Sequence, residues 1–147
     1  MDVRDAILEE FDGICRRLGV SYVLYAGTLL GIVRDGCHLP EEEPDVDIML
    51  IQTNRYRDLE NELVKAGYTA GMSYATNGHF RKGGVLLDVY MSHTDQHRIN
   101  VEPYLKNLGS IKHNSKIYLT PFPADKFLEA KYGKSWRTRQ KGRKSPD

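Results

Sequence analysis

The feature that most constrains this chain is a pair of acidic residues at the start of an apolar run. Asp45 and Asp47 flank Val46 and are followed by Ile48-Met49-Leu50-Ile51. Side chains two residues apart on a strand point to the same face, so the two carboxylates would lie side by side while Val46 faces the interior. An apolar run without alternation is typical of a strand covered on both faces. The sequence therefore predicts a buried strand that presents two neighbouring carboxylates.

Neighbouring carboxylates suit a hard divalent cation such as Mg²⁺ or Mn²⁺, which takes oxygen ligands and completes its shell with water and substrate phosphates. The alternative is a solvated acidic loop over Glu41 to Asp47. A third carboxylate favours the metal site. Gly83-Gly84 separates two extended stretches, His79 to Lys82 and Val85 to Met91, which predicts a hairpin, and Asp88 lies inside the apolar second arm.

An ionised Asp88 among apolar neighbours requires a partner. A metal shared with Asp45 and Asp47 would supply one, and a salt bridge to Arg81, Lys82 or Arg34 is the other option. We therefore take Asp45, Asp47 and Asp88 as candidate catalytic and metal-binding residues.

A turn upstream of the acidic pair is a candidate phosphate site. Val20 to Ala26 is predicted as a short strand, and Gly27-Thr28 leads into a short helix that ends near Arg34. Thr28 is a candidate N-cap, so the first N–H groups of the helix could hold phosphate oxygens, and Gly27 would let a phosphate approach the backbone. Arg34 could stabilise a leaving phosphate or only interact with the negative end of the helix dipole. The turn could also be no more than a capped helix.

The remaining periodicity predicts three longer helices and several strands, which together indicate an α+β or mixed α/β domain with a central sheet. The predicted helices cover Asp5 to Leu18, Arg55 to Ala66 and Asp125 to Tyr132; further extended segments cover Tyr68 to Thr76 and Lys116 to Thr120.

Composition sets limits on the function. The 147 residues and formal charge of +1 predict a single domain over residues 1–140 with a basic, flexible tail at 141–147, and give no general attraction to nucleic acid. Cys15 and Cys37 have neither metal-ligand spacing nor a disulfide framework, which favours a reducing cytoplasm. The sequence has no apolar signal core and no predicted membrane span.

Two further groups of residues are candidate ligand contacts. Lys131 could bind a donor or acceptor phosphate, and Tyr132 could stack on a base or pack in the core. His93 and His97 have the spacing of a zinc-protease motif, but Thr94 follows the first histidine where such a motif needs glutamate. We therefore take Lys131 and Tyr132 as candidate substrate contacts, and the sequence gives little support to zinc at His93 and His97.

Together these segments resemble a known family. Gly27-Thr28-Leu29-Leu30-Gly31-x-x-Arg34, Leu39-Pro40 and Asp45-x-Asp47-Ile48 look like the signature of the LicD and fukutin-related phosphotransferases. The later segments Pro121-x-Pro123, Phe127-Leu128 and Tyr132-Gly133-x-x-Trp136 look like the closing part of that family. The family usually has Pro-Trp-Asp-Asp-Asp-x-Asp, whereas this chain has Pro40-Glu41-Glu42-Glu43-Pro44-Asp45-Val46-Asp47. The Asp-x-Asp pair is retained.

The resemblance implies a nucleotidyltransferase-like domain, of the superfamily typified by DNA polymerase beta, with a mixed sheet flanked by helices. It implies Mg²⁺ or Mn²⁺ held by the Asp-x-Asp pair and a further Asp, and a nucleotide-activated donor. Members move phosphocholine or a polyol phosphate from a CDP-linked donor to a sugar hydroxyl. Because such enzymes are often larger, a protein partner could supply acceptor recognition.

Three functions therefore stay open from the sequence. The first is transfer of a phospho-alcohol with release of CMP. The second is transfer of a nucleotidyl group from an NTP with release of pyrophosphate. The third is a non-catalytic nucleotide- or RNA-binding module of the same fold.

Overall fold

The computed structural model describes residues 2–41, 43–73, 77–91 and 99–139. The His93 and His97 motif and the basic tail expected at 141–147 lie outside these residues. The helices are α1 (Val3–Leu18), α2 (Ala26–Asp35), α3 (Tyr56–Lys65), α4 (Glu102–Leu105) and α5 (Ala124–Tyr132), with a 3₁₀ turn at Thr53–Arg55. The strands are β1 (Tyr22–Leu24), β2 (Asp45–Leu50), β3 (Thr69–Ser73), β4 (Asn77–Lys82), β5 (Val85–Met91), β6 (Gly109–His113) and β7 (Lys116–Thr120).

The centre of the fold is a five-stranded sheet with the strand order β1-β2-β5-β4-β3. Strands β2 and β5 are parallel, and the other neighbouring pairs are antiparallel, so the sheet is mixed as the sequence predicts. Strands β6 and β7 form a separate antiparallel hairpin. The residues of β2 from Val46 to Leu50 are all buried, and both α1 and α2 pack against this strand.

Helix α1 covers the central strands with its apolar stripe. Leu8, Phe11 and Ile14 are almost fully buried, and the helix packs against α3, β2 and β5. The Asp2 side chain accepts a hydrogen bond from the Arg4 N–H and caps the start of the helix. The helix predicted over Asp5 to Leu18 is therefore confirmed, and with Asp2 as its N-cap it begins at Val3.

The predicted hairpin around Gly83-Gly84 is confirmed. Both glycines have positive φ, at 58° and 79°, which residues with a side chain rarely adopt. The turn pairs His79 with Asp88 across β4 and β5. The register of the hairpin thus decides which side chain lies beside the candidate third carboxylate.

The prediction that Thr28 caps the short helix is wrong. Helix α2 begins at Ala26, and its N-cap is Tyr25, so Gly27 and Thr28 lie in the first turn. The chain turns early because Ala26 adopts a left-handed backbone with φ of 46°. The Thr28 hydroxyl accepts a hydrogen bond from the Asp47 N–H instead.

Within the described residues, no helix combines the length and apolar character needed to cross a membrane.

Candidate active site

The structure brings Asp45, Asp47 and Asp88 together. One carboxylate oxygen of each residue lies within 4.8 Å of the corresponding oxygens of the other two. Asp47 and Asp88 are directly opposite each other in the parallel pair β2 and β5, and their side chains share a face of the sheet. Two adjacent strands therefore place three oxygen ligands at one point.

Burial makes this cluster electrostatically costly. Asp47 and Asp88 are only 6% and 7% exposed. Burial, reinforced by the charges of Asp45 and Asp88, raises the pKa of Asp47 well above its ordinary value. Burial also raises the pKa of Asp88, although the nearby His79 opposes that rise. Without a counter-charge, the cluster resists full ionisation.

The first turn of α2 lies directly against the cluster. The Asp47 N–H donates to Thr28 Oγ1 at 2.8 Å, which links the start of the helix to β2. A Cβ at Gly27 would lie 3.3 Å from Asp47 Oδ2, so this glycine leaves room for the carboxylate. The first N–H groups of a helix have no acceptor in the preceding turn and favour negative charge. Phosphate oxygens beside the carboxylates could therefore be held by these N–H groups.

His79 is a site residue that the sequence did not reveal. Its Nδ1 lies 2.7 Å from Asp88 Oδ1, and its side chain is 31% exposed. Of the three alternative partners of Asp88, Lys82 pairs with Glu10 and Arg34 with Asp35. The charge of the third, Arg81, acts on Asp88 and opposes the rise in its pKa. Only the cross-strand register of β4 and β5 places the imidazole there.

Lys131 and Tyr132 lie on α5, where Lys131 is close to the Tyr25 ring. Lys131 Nζ is 5.4 Å from the centroid of the Tyr25 ring and 5.2 Å from that of Tyr132, within the range of a cation–π contact. The Tyr25 ring in turn packs against Tyr90 at 5.0 Å. Burial, followed by the charges of Asp47 and Asp88, raises the pKa of Tyr90, which places its hydroxyl in the field of the carboxylates. Aromatic rings thus connect Lys131 with the acidic cluster.

Arg34 contacts Asp35 and the C-terminal segment. Its Nε and Nη2 donate to the two carboxylate oxygens of Asp35 at 3.0 Å each, and its Nη1 donates to the Trp136 carbonyl at 3.4 Å. The side chain is only 10% exposed. Arg34 therefore ties the end of α2 to the C-terminal segment, and a direct role on a phosphate stays a prediction.

Arg4 supports the segment that leads into β2. Its Nη1 donates to the Leu39 carbonyl at 2.6 Å and lies 3.8 Å from Glu41 Oε2. Asp2 and then Glu41 and Asp45 favour its charged form. No local sequence pattern indicated this role, because the contacts join residues more than thirty positions apart.

The residues present fit a hard divalent cation. The donor atoms of the cluster are carboxylate oxygens alone. Mg²⁺ and Mn²⁺ prefer such oxygen ligands to softer ligands. Burial and the neighbouring carboxylates raise the pKa of Asp47, and a bound cation would supply the positive charge that favours its ionised form.

Comparison with known families gives an independent result. Residues 19–137 match the family described as LicD/FKTN/FKRP, nucleotidyltransferase domain. The match covers most of the chain and includes every candidate site residue named above from Gly27 to Tyr132. A comparison with curated proteins returns no match.

Solved structures show the same fold at low sequence identity. The lincosamide antibiotic adenylyltransferase LnuA, bound to lincomycin, has a TM-score of 0.59 at 13% identity, with 82% of each chain covered. ANT(2'')-Ia in complex with adenylyl-2''-tobramycin has a TM-score of 0.61 at 10% identity, covering 81% of this chain and 69% of the other. An antigenic nucleotidyltransferase-like protein from Paracoccidioides brasiliensis has a TM-score of 0.52 at 16% identity, covering 78% and 58%. The nucleotidyltransferase fold predicted from the sequence is confirmed.

Proposed function

Because the chain belongs to the LicD/FKTN/FKRP nucleotidyltransferase-domain family of transferases, we propose that it moves a phospho-alcohol from a CDP-linked donor to a sugar hydroxyl. The transferred group would be phosphocholine or a polyol phosphate. The observation that carries the proposal is the convergence of Asp45, Asp47 and Asp88 beside the first turn of α2.

The carboxylates would hold one or two Mg²⁺ or Mn²⁺ ions against the donor diphosphate. A bound divalent cation supplies charge neutralisation on the diphosphate and on the leaving group. Gly27 and the first N–H groups of α2 would hold the non-bridging oxygens, because they lie next to Asp47. Lys131 would add positive charge from α5, with Tyr132 packed beside it.

The transfer requires little covalent chemistry from the protein. The acceptor hydroxyl oxygen attacks the β-phosphorus of the donor, the bond from that phosphorus to the bridging oxygen breaks, and CMP leaves with the bond electrons. Asp88 would either complete the metal site or accept the hydroxyl proton, and His79 Nδ1, 2.7 Å from Asp88 Oδ1, would orient that carboxylate. The chain's main contribution would be to position reactants and stabilise charge.

A second candidate uses the same residues. If the acceptor attacked the α-phosphorus of an NTP, a nucleotidyl group would move and pyrophosphate would leave. This candidate is suggested by the similarity of fold to an adenylyltransferase. At 13% identity that similarity supports the fold and not the reaction.

A third candidate is a non-catalytic nucleotide- or RNA-binding module. It would not require three converging carboxylates, two of them buried at a free-energy cost. The acidic cluster therefore favours the enzymatic candidates.

One experiment separates the three. The full chain is incubated with Mn²⁺ and, in turn, CDP-choline, CDP-ribitol and each NTP, together with a panel of sugar acceptors, and ³¹P NMR distinguishes CMP from pyrophosphate. CMP supports the proposal, pyrophosphate supports nucleotidyl transfer, and no product with any donor supports the binding module. Asp47→Asn is the matched variant, and it should form no product.

Several broader expectations remain part of the proposal. We propose that residues 1–140 act as one domain, that a protein partner assists acceptor recognition, and that the chain works in the cytoplasm. Cys15 and Cys37 are both free in the structure, which is compatible with a reducing compartment.

A further inference from the structure

A second cluster of potential metal ligands lies outside the acidic site. Asp5 Oδ1 is 2.7 Å from His38 Nε2 and 2.8 Å from His113 Nε2. The three residues come from α1, from the segment after α2, and from the end of β6, and they are 7%, 6% and 9% exposed. Three distant parts of the chain thus bring two imidazoles and a carboxylate to one buried point.

We propose that this cluster binds a zinc-class divalent cation through Asp5 Oδ1, His38 Nε2 and His113 Nε2. Imidazole nitrogen combined with a carboxylate oxygen is a donor set for Zn²⁺ and similar ions, whereas Mg²⁺ prefers oxygen alone. The two clusters of this protein would therefore select different ions. This proposal does not depend on the transferase activity.

The geometry is close to what tetrahedral coordination needs. Zinc bonds of about 2.0–2.1 Å place neighbouring ligand atoms about 3.3 Å apart. The two observed contacts of 2.7 Å and 2.8 Å would have to lengthen by roughly 0.5 Å, which small side-chain rotations can supply. All three ligand atoms already lie within 4.8 Å of one another.

Cation binding would change the protonation of the cluster. Each imidazole Nε2 that now shares a proton with Asp5 Oδ1 would have to release it, because a metal-bound histidine is neutral at the coordinating nitrogen. Asn114 also hydrogen-bonds to Asp5 and is itself exposed at the turn between β6 and β7. Its amide N–H donates to the Asp5 carboxylate, and the exposed turn offers a route of entry.

The location gives the cation a structural role. A Cβ at Gly31 would lie 2.6 Å from the Cys37 carbonyl, so the segment carrying His38 packs closely on α2. The same segment is held at Leu39 by Arg4 and continues into Asp45. A cation would join the first turn of α1, this segment and the β6–β7 hairpin. It would therefore restrain the segment that leads into Asp45 of the acidic site.

Cobalt spectroscopy on the full chain tests the proposal. Co²⁺ in a tetrahedral nitrogen and oxygen site absorbs visible light strongly, whereas Co²⁺ bound to carboxylates and water in octahedral geometry absorbs weakly. With one equivalent of Co²⁺, the wild type should show the strong tetrahedral bands, and one equivalent of Zn²⁺ should remove them. A spectrum that stays weak in the wild type overturns the proposal.

Variants assign the signal to the cluster. His113→Gln keeps an N–H group that can reach Asp5 but removes a ligand nitrogen, so it should fold in EDTA and lose more than about 100-fold in Zn²⁺ affinity. Asp47→Asn and the double variant His93→Gln, His97→Gln should keep the strong bands. Retention of the bands by His113→Gln, or their loss in the double variant, would overturn the assignment.

If His113→Gln fails to fold, proton NMR of the Co²⁺-loaded wild type replaces it. Two strongly shifted, exchangeable imidazole N–H signals are expected from two coordinated histidines. To tell His38 and His113 from His79, His93 and His97, the same spectrum is recorded for the double variant and for His79→Gln. The absence of two such signals in any of the three proteins would overturn the proposal.

Discussion

Replacing Asp47 by asparagine should stabilise the metal-free protein. The carboxylate oxygens of Asp45, Asp47 and Asp88 lie within 4.8 Å of one another. Two unit charges at that distance repel by about 3.5 kcal/mol at an effective dielectric constant of about 20. Asparagine has nearly the same volume and no charge, so the substitution removes two of the three repulsive pairs. The amide can also donate hydrogen bonds to the two remaining carboxylates.

The gain should depend on pH because the native protein can relieve the repulsion by binding protons. Burial and neighbouring charge raise the pKa of Asp47 in the folded state. The folded state therefore holds a proton that the unfolded chain releases above pH of about 4, and metal-free stability falls as pH rises above that value. At pH 8 we expect Asp47→Asn to gain about 2 kcal/mol, which corresponds to a rise in Tm of roughly 4–8 °C.

Magnesium should reverse the order of stability. A ligand present at about 100 times its Kd stabilises the folded state by about 2.7 kcal/mol, and the wild type should gain this while Asp47→Asn gains much less. Thermal and urea unfolding in EDTA and in excess Mg²⁺, from pH 5 to pH 8, measure both effects. Asp58→Asn is the control, since Asp58 is an exposed acid on α3 paired with Arg55. A variant that is less stable than the wild type in EDTA at pH 8, with an unchanged Mg²⁺ response, would refute the reasoning.

Three further predictions concern neighbouring residues. Gly27→Ala should lower kcat/KM roughly tenfold, because the alanine Cβ would press on Asp47 Oδ2. Its Tm should be unchanged or higher, because alanine favours a helix more than glycine does. Normal activity of this variant would contradict the prediction. Thr28→Val leaves the buried Asp47 N–H without its acceptor, so urea unfolding should show a loss of about 1–3 kcal/mol, and a loss below the error of the measurement would count against the assigned bond. Hydrogen bonds from the Arg34 guanidinium lower the pKa of Asp35. Asp35→Asn should therefore lower the free energy of unfolding by about 1–2 kcal/mol at pH 7 and by progressively less below pH of about 4, where the contribution of the ion pair is lost. A loss of stability that does not depend on pH would show that the ion pair is not its source.

Local patterns were sufficient for the central strand and its acids. The Asp45 and Asp47 spacing, the apolar run after it and the Gly83-Gly84 turn each specify structure within a few residues, and β2 and the β4–β5 hairpin follow. Asp88 could be identified because an acid inside an apolar strand needs a partner.

Contacts between distant residues could not be predicted in the same way. His79 reaches Asp88 only because β4 and β5 pair in one register, and a slip by one residue would turn the imidazole to the other face. Asp5, His38 and His113 are brought together by packing over separations of 33 and 108 positions. The start of α2 was misplaced because a left-handed alanine at position 26 has no clear sequence signal.

The most direct test of the account is product release from a CDP-linked donor. The wild type and Asp47→Asn are each incubated with Mn²⁺, CDP-ribitol or CDP-choline, and a sugar acceptor, and CMP is measured over time by ³¹P NMR. We expect CMP from the wild type, no CMP without a divalent ion, and none from Asp47→Asn. Equal CMP release by the two proteins, or release that persists in EDTA, would contradict the assignment of the carboxylate cluster as the catalytic metal site.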